Sequence, residues 1–244
     1  VNVTLPFASV IRSVSSACPI SDPSILIVLS ISTGEPEAGL IFIAPEEVLM
    51  VTAASPWLKS SALIEDADIR WGLGGGIGIK FATKGYNICL MSRKLANLKP
   101  MENYINETFD VQAKSIVCDV SSDASVKKAF QECINVFNNE DIEVLVYNPG
   151  MAPDTFGGLE RVENLNLGQF DMAMQVHAHG LVRCSKEVLP SMKERQKGTI
   201  LVSGNTMCIR GKPRFGLFSP SKFAQRSICQ VMVSKFKLYF SNNS

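Results

Sequence analysis

Six short apolar runs punctuate the chain: Ile25–Ile31, Leu40–Ala44, Asn87–Met91, Lys114–Cys118, Ile142–Tyr147 and Thr199–Val202. The first two could each be a strand; the last four are continuous apolar runs of the length expected for strands buried on both faces, as in a parallel sheet. Helical periodicity lies between the later runs. Val126, Ala129, Phe130, Cys133 and Phe137 recur at i, i+3, i+4, i+7 and i+11, one face of a helix that Ser121, Ser122 or Asp123 can cap. A second helix is predicted over Phe170–Arg195, with Pro190 near its end. A third begins near Ser219 and carries Phe223, Ile228, Val231 and Met232. Strand alternating with helix predicts an α/β fold, a doubly wound parallel sheet built from right-handed βαβ units. The regular pattern occupies residues 62–244. Residues 1–61 hold the first two runs among scattered Ser and Pro, carry no motif and form an unassigned N-terminal segment.

A glycine cluster opens the regular region: Trp71-Gly72-Leu73-Gly74-Gly75-Gly76-Ile77-Gly78. The spacing Gly72-xxx-Gly76-x-Gly78 suits a backbone that turns sharply from strand to helix and approaches a pyrophosphate closely, which only glycine permits. A helix N-terminus there would offer free N–H groups and a partial positive charge to phosphate. A flexible loop is the plainer alternative. The helix-like stretch Ile79–Lys84 and the apolar run behind it favour nucleotide binding. The residues just before the cluster, Glu65-Asp66-Ala67-Asp68-Ile69-Arg70, stand where a buried central strand is expected. Unpaired charges would be costly in that place.

Charge and cysteine usage narrow the partners. With 24 basic and 23 acidic residues the net charge is +1, which gives no electrostatic footprint for nucleic acid or an anionic membrane. The apolar runs are far shorter than the roughly 20 residues of a spanning helix. Seven widely spaced cysteines form no CxxC pair, so no metal cage is expected, and they point to a reducing, cytoplasmic setting. Asn-x-Ser/Thr triplets at Asn2, Asn106 and Asn242 are read as chance occurrences.

In chain order the glycine cluster, Asp119-Val120, Asn148-Pro149-Gly150 and Phe218-Ser219-Pro220-Ser221-Lys222 resemble the short-chain dehydrogenase/reductase family over about Gly72–Leu238. The resemblance implies a Rossmann fold with NADP or NAD bound at the carboxyl ends of the strands. It implies that Gly72, Gly76, Ile77 and Gly78 hold the pyrophosphate, that Asp119 and Val120 flank the adenine, and that Asn148 and Gly150 line the site. The family's acidic residue after the second strand is replaced by Ser92-Arg93-Lys94. A cation there suits the 2′-phosphate of NADP, so Arg93 is assigned to it and NADP is preferred to NAD. Many relatives pair through helices flanking the sheet, which makes a homo-oligomer an expectation.

The catalytic group departs from the family's Asn, Ser, Tyr and Lys. Lys222 is kept, and the resemblance gives it the nicotinamide ribose. Phe218 stands at the tyrosine position and has no proton to give. Asn205 falls at the serine position and His177 at the asparagine position. His177 could titrate near neutrality, although a helix histidine without a proton-transfer role is the commoner case. A similar atypical branch of the family also has Phe before Ser-x-Lys. The family continues beyond the Lys222 helix into two further strands and a substrate-covering loop. The sheet is therefore expected to have only five family strands, with an exposed edge, and an incomplete gene product is one reading. Two functions stand: hydride transfer, at full or reduced activity, between NADP(H) and a small carbonyl, alcohol or enoyl substrate of unknown identity, or a catalytically silent nucleotide- or partner-binding protein.

Overall fold

The structure is a computed structural model that describes residues 25–30, 39–43, 50–51, 73–150, 161–204, 206–211 and 213–241. Seven strands form one sheet: β1 (Ile25–Ser30), β2 (Gly39–Ile43), β3 (Met50–Val51), β4 (Asn87–Ser92), β5 (Ala113–Val117), β6 (Ile142–Asn148) and β7 (Thr199–Gly204), in the order β3-β2-β7-β6-β1-β4-β5. The helices are α1 (Leu73–Ala82), α2 (Lys99–Thr108), α3 (Asp123–Val136), α4 (Leu167–Met174), α5 (Gly180–Glu194) and α6 (Phe218–Ser241). One π-helical turn, Gln175–His179, joins α4 to α5.

The centre of the sheet comes from the N-terminal region. β1 pairs parallel with β4, Ile25 beside Asn87, and parallel with β6, Ser30 beside Asn148. Its sequence, ILIVLS, suits a strand with neighbours on both sides. The expectation that the strand directly before the glycine cluster would be central is corrected: residues 25–30 take that place, and Glu65–Arg70 lie outside the described residues. The exposed edge expected beyond the family strands is also corrected. β2 pairs antiparallel with β7 and β3 antiparallel with β2, so two N-terminal strands extend that edge.

Helices cover both faces. Ile77, Phe81, Ile88, Leu90, Met101, Ile105, Val144 and Val146 form the core under α1 and α2. On the other face Phe130, Cys133, Phe137, Leu145, Tyr147, Leu181, Cys184 and Val202 join α3, α5 and α6 to the sheet. The predicted apolar stripe of α3 is the buried one, and Ser122 caps that helix by accepting from the Ser125 N–H. The side-chain amide of Asn106 is spent on the backbone of Ala113, donating to its carbonyl at 3.1 Å and accepting from its N–H at 2.8 Å, which ties α2 to β5.

Candidate functional site

The carboxyl ends of β4, β5, β6 and β7 bring the motif residues to one edge of the sheet. Arg93 directly follows β4 and is exposed. Asp119 and Val120 follow β5, Asn148 ends β6, and Gly204 ends β7. The α1 helix ends in a turn, Thr83 to Gly85, that leads straight into β4 at Asn87, and Gly85 adopts a φ of 83° there. The C-terminus of α1 therefore lies at the amino ends of the strands and its N-terminus at the carboxyl ends.

The glycine cluster is not the open bend that the spacing suggested. Residues Leu73 to Ala82 are helical, so Gly74, Gly75, Gly76 and Gly78 lie inside α1. Glycine is a poor helix former, and packing against the sheet compensates. A Cβ on Gly78 would meet Leu90, Ile88 and Met101 at 3.6–3.8 Å, so this residue sits flush on β4 and α2. Among the described residues, a Cβ on Gly76 would meet nothing within 4 Å. The first-turn N–H groups of any helix lack helical partners, and in this helix Gly76 leaves the approach to them open. Ile77 is buried in the core and shapes the helix rather than a ligand surface. Gly72 lies outside the described residues.

At Asp119, Oδ1 accepts from the backbone N–H and the hydroxyl of Ser121 at 2.9 and 2.7 Å. That shapes the loop and leaves Oδ2 with no hydrogen bond among the described residues. The Val120 carbonyl accepts from Arg183 at 3.3 Å, and Arg183 also engages Asp123 and Gln175. One cation thus ties the loop after β5 to α3 and to the π turn. Among the described residues, nothing lies within 4 Å of the Cβ position of Gly150.

His177, Phe218 and Lys222 come together between the π turn and the start of α6. The rings of His177 and Phe218 stand 6.0 Å apart, inclined at 36°. His177 Nδ1 lies 2.9 Å from Ser221 Oγ. That hydroxyl donates to the carbonyl of Phe218 at 3.0 Å or of Leu217 at 3.3 Å. The bond pattern therefore assigns the imidazole proton to Nδ1. Nε2 is left as a buried acceptor with no partner among the described residues. Burial, and secondarily the charge of Lys222, push His177 well below its ordinary value, so it is neutral at physiological pH.

Lys222 is buried on α6. Its Nζ donates to Gln225 Oε1 at 2.9 Å and to the Ser203 carbonyl at 3.5 Å. Burial lowers its pKa to about 8. Asn205, the expected serine equivalent, lies outside the described residues. Ser203, at the end of β7, is buried, and its hydroxyl has no hydrogen bond among the described residues.

Residues 70–239 match the short chain dehydrogenase family. The chain belongs to that family. Among curated proteins this short-chain dehydrogenase is 28% identical over 180 residues to retinol dehydrogenase 8 of Bos taurus, covering 70% of the chain and 55% of that protein. It is also 28% identical over 159 residues to the inactive hydroxysteroid dehydrogenase-like protein 1 of Homo sapiens, covering 62% and 44%. The chain thus spans about half the length of the curated relatives it matches. The alcohol dehydrogenase of Thermococcus sibiricus, solved with 5-hydroxy-NADP, shares the fold with a TM-score of 0.63 at 19% identity, over 88% of this chain and 72% of that one. The fold is thus the Rossmann arrangement of the family.

Sequence reasoning missed several residues around the candidate site. Ser221 and Gln225 flank Lys222, and the i to i+3 spacing of Lys222 and Gln225 placed them on one helical face. Tyr147 occupies the first position of the Tyr147-Asn148-Pro149-Gly150 segment, and its hydroxyl donates to the carbonyl of Val176 in the π turn. Nothing in the spacing pointed to that contact.

Proposed function

We propose that this short-chain dehydrogenase binds NADP(H) in preference to NAD(H), and that its hydride chemistry on a small carbonyl, alcohol or enoyl substrate is slow because no proton donor stands at the reacting position. The observation that carries the reading is the pairing of Phe218 with a neutral His177 beside a retained Lys222.

The residues fit the nucleotide. The first-turn N–H groups of α1, with Gly76 leaving space, suit a pyrophosphate. Arg93 is exposed at the end of β4, where a 2′-phosphate would gain a charge-assisted hydrogen bond. Oδ2 of Asp119, beside Val120, suits an adenine amine, while Asn148 and Gly150 line the edge between. Lys222 has three N–H donors and two described acceptors, which leaves one N–H for a ribose hydroxyl. When bound, the nicotinamide would accept or deliver hydride.

Proton transfer is where the chain departs from that chemistry. Phe218 has no exchangeable proton. His177 keeps its single proton on Nδ1, turned to Ser221, so Nε2 can accept but not donate. A positioned general acid typically contributes about 10²–10⁴-fold, so the rate without one falls by that order.

The test is titration of the purified chain with NADPH and with NADH, followed by nucleotide fluorescence or calorimetry. Micromolar binding of NADPH, weaker for NADH, is expected, and absence of a response to both overturns the reading. A second reading, a silent nucleotide- or partner-binding protein, is favoured by Phe218 and by the relative named inactive. Self-association through α5 and α6 belongs to either reading, since Val182, Phe223 and Val231 expose apolar surface there. Among the described residues no helix is long and apolar enough to cross a membrane. The six described cysteines are buried and form no disulfide among the described residues, which supports a reducing compartment such as the cytoplasm.

A further inference from the structure

We propose that Gln225 is the positioning residue of Lys222: its side-chain carbonyl fixes the ammonium against α6 and β7 so that the remaining N–H is held for the ribose of the nucleotide. The inference rests on the NADP(H)-binding reading above.

Lysine carries its charge on a flexible four-carbon stem, so an ammonium has no fixed direction of its own. Burying it requires acceptors close by. Lys222 finds two: Gln225 Oε1 at 2.9 Å and the Ser203 carbonyl at 3.5 Å. The second lies at the outer limit of a hydrogen bond, so Gln225 sets the direction. Among the described residues no other side chain hydrogen-bonds the ammonium. Phe218 is apolar, and Nδ1 of His177 is committed to Ser221.

Gln225 is fully buried, and its amide is used one-sidedly. Because an ammonium only donates, the amide oxygen must face Lys222. That orientation leaves Nε2 buried with no hydrogen bond among the described residues. An apolar side chain of equal length would avoid this cost and pack the same volume. What the amide adds is the acceptor for Lys222. The groups that titrate around the ammonium are His177 on the π turn, Cys208 on the 3₁₀ turn Thr206–Cys208, and Cys229 on α6. None is a carboxylate, so the neutral carbonyl of Gln225 bears the task.

The test uses the whole chain with lysines labelled with ¹³C at Cε, the Lys222 resonance being assigned by its loss in Lys222→Met. The wild-type resonance should titrate with a midpoint near about 8. Gln225→Met, similar in length but without the acceptor, should lower the midpoint by about one pH unit or more and weaken NADPH binding by about tenfold. Gln225→Glu keeps an acceptor and adds charge. It should raise the midpoint and hold NADPH affinity within about threefold of wild type. Should Gln225→Met fail to fold, an unmoved midpoint in Gln225→Glu overturns the inference by itself. If wild type and Gln225→Met bind NADPH equally, the inference falls and the binding reading stands. If wild type binds neither NADPH nor NADH, both fall.

Discussion

The imidazole of His177 is held by the hydroxyl of Ser221 at 2.9 Å, across the junction of the π turn and α6, with its other nitrogen buried and unmatched. Burial, helped by the charge of Lys222, depresses its folded-state pKa well below the ordinary 6.5. The unfolded chain then binds more protons as the pH drops past 6.5, and stability that is complete above that pH is lost progressively below it. Between pH 7 and pH 5 this one group should lower stability measurably. The depressed carboxylates Glu102 and Asp123 act in the same direction, but only below their ordinary values of 4.5 and 3.8. Urea midpoints at pH 7 and pH 5 should therefore diverge strongly in wild type and much less in His177→Gln. Equal divergence in both would refute the assignment.

Gly180 opens α5 directly under Tyr147. A methyl group there would collide with the Tyr147 hydroxyl and lie 3.1 Å from the Val120 carbonyl and Cβ. Backbone cannot retreat as a flexible side chain can, so Gly180→Ala should destabilise by about 1–3 kcal/mol. Removing the hydroxyl relieves the closest clash. Tyr147→Phe alone should cost about 1 kcal/mol for the lost bond to the Val176 carbonyl. The double variant should be more stable than the sum of the two singles, by thermal or denaturant unfolding. Strict additivity would show that the helix shifts instead.

On the proposed NADP(H) reading, Arg93 would discriminate between the two nicotinamide nucleotides by charge alone. Arg93→Ala should weaken NADPH binding by about tenfold or more, corresponding to one charge-assisted pair, and leave NADH binding nearly unchanged. The NADPH loss should shrink at high salt, because the residue is exposed and its field is screened. An equal loss for both nucleotides would place the 2′-phosphate elsewhere.

Phe218→Tyr restores a hydroxyl one helical turn from Lys222. NADPH oxidation with a panel of small ketones and aldehydes should rise by about a hundredfold over wild type. A gain from an undetectable rate favours the silent reading, and a gain over a measurable rate favours the slow enzyme. No gain in a variant that binds NADPH would mean that the site lacks more than a proton donor.

Much of this was legible in the chain. The runs at 87–91, 114–118, 142–147 and 199–202 became β4 to β7, and the stripe from Val126 to Phe137 became the buried face of α3, because burial on both faces leaves an uninterrupted apolar signature. The convergence of His177, Phe218 and Lys222 followed from motif order. The identity of the central strand was not legible. Local adjacency pointed to Glu65–Arg70, whereas the sheet pairs Ile25–Ser30 between β4 and β6, and pairing between distant segments leaves no periodic trace. The helical state of Gly74–Gly78 was equally hidden, since glycine propensity argues against it and tertiary packing decides. The hold of Gln225 on Lys222 rests on an amide orientation that spacing permits but does not demand.

The origin of β1 changes what a proteolytic nick would do. A cut between residues 52 and 72 would release a fragment that contains β1, the strand wedged between β4 and β6. The remainder would keep every motif residue from Gly72 onward, yet β4 and β6 would face each other across a gap one strand wide. Clipping that stretch should act as a disassembly step for the whole nucleotide platform rather than as the trimming of a tail.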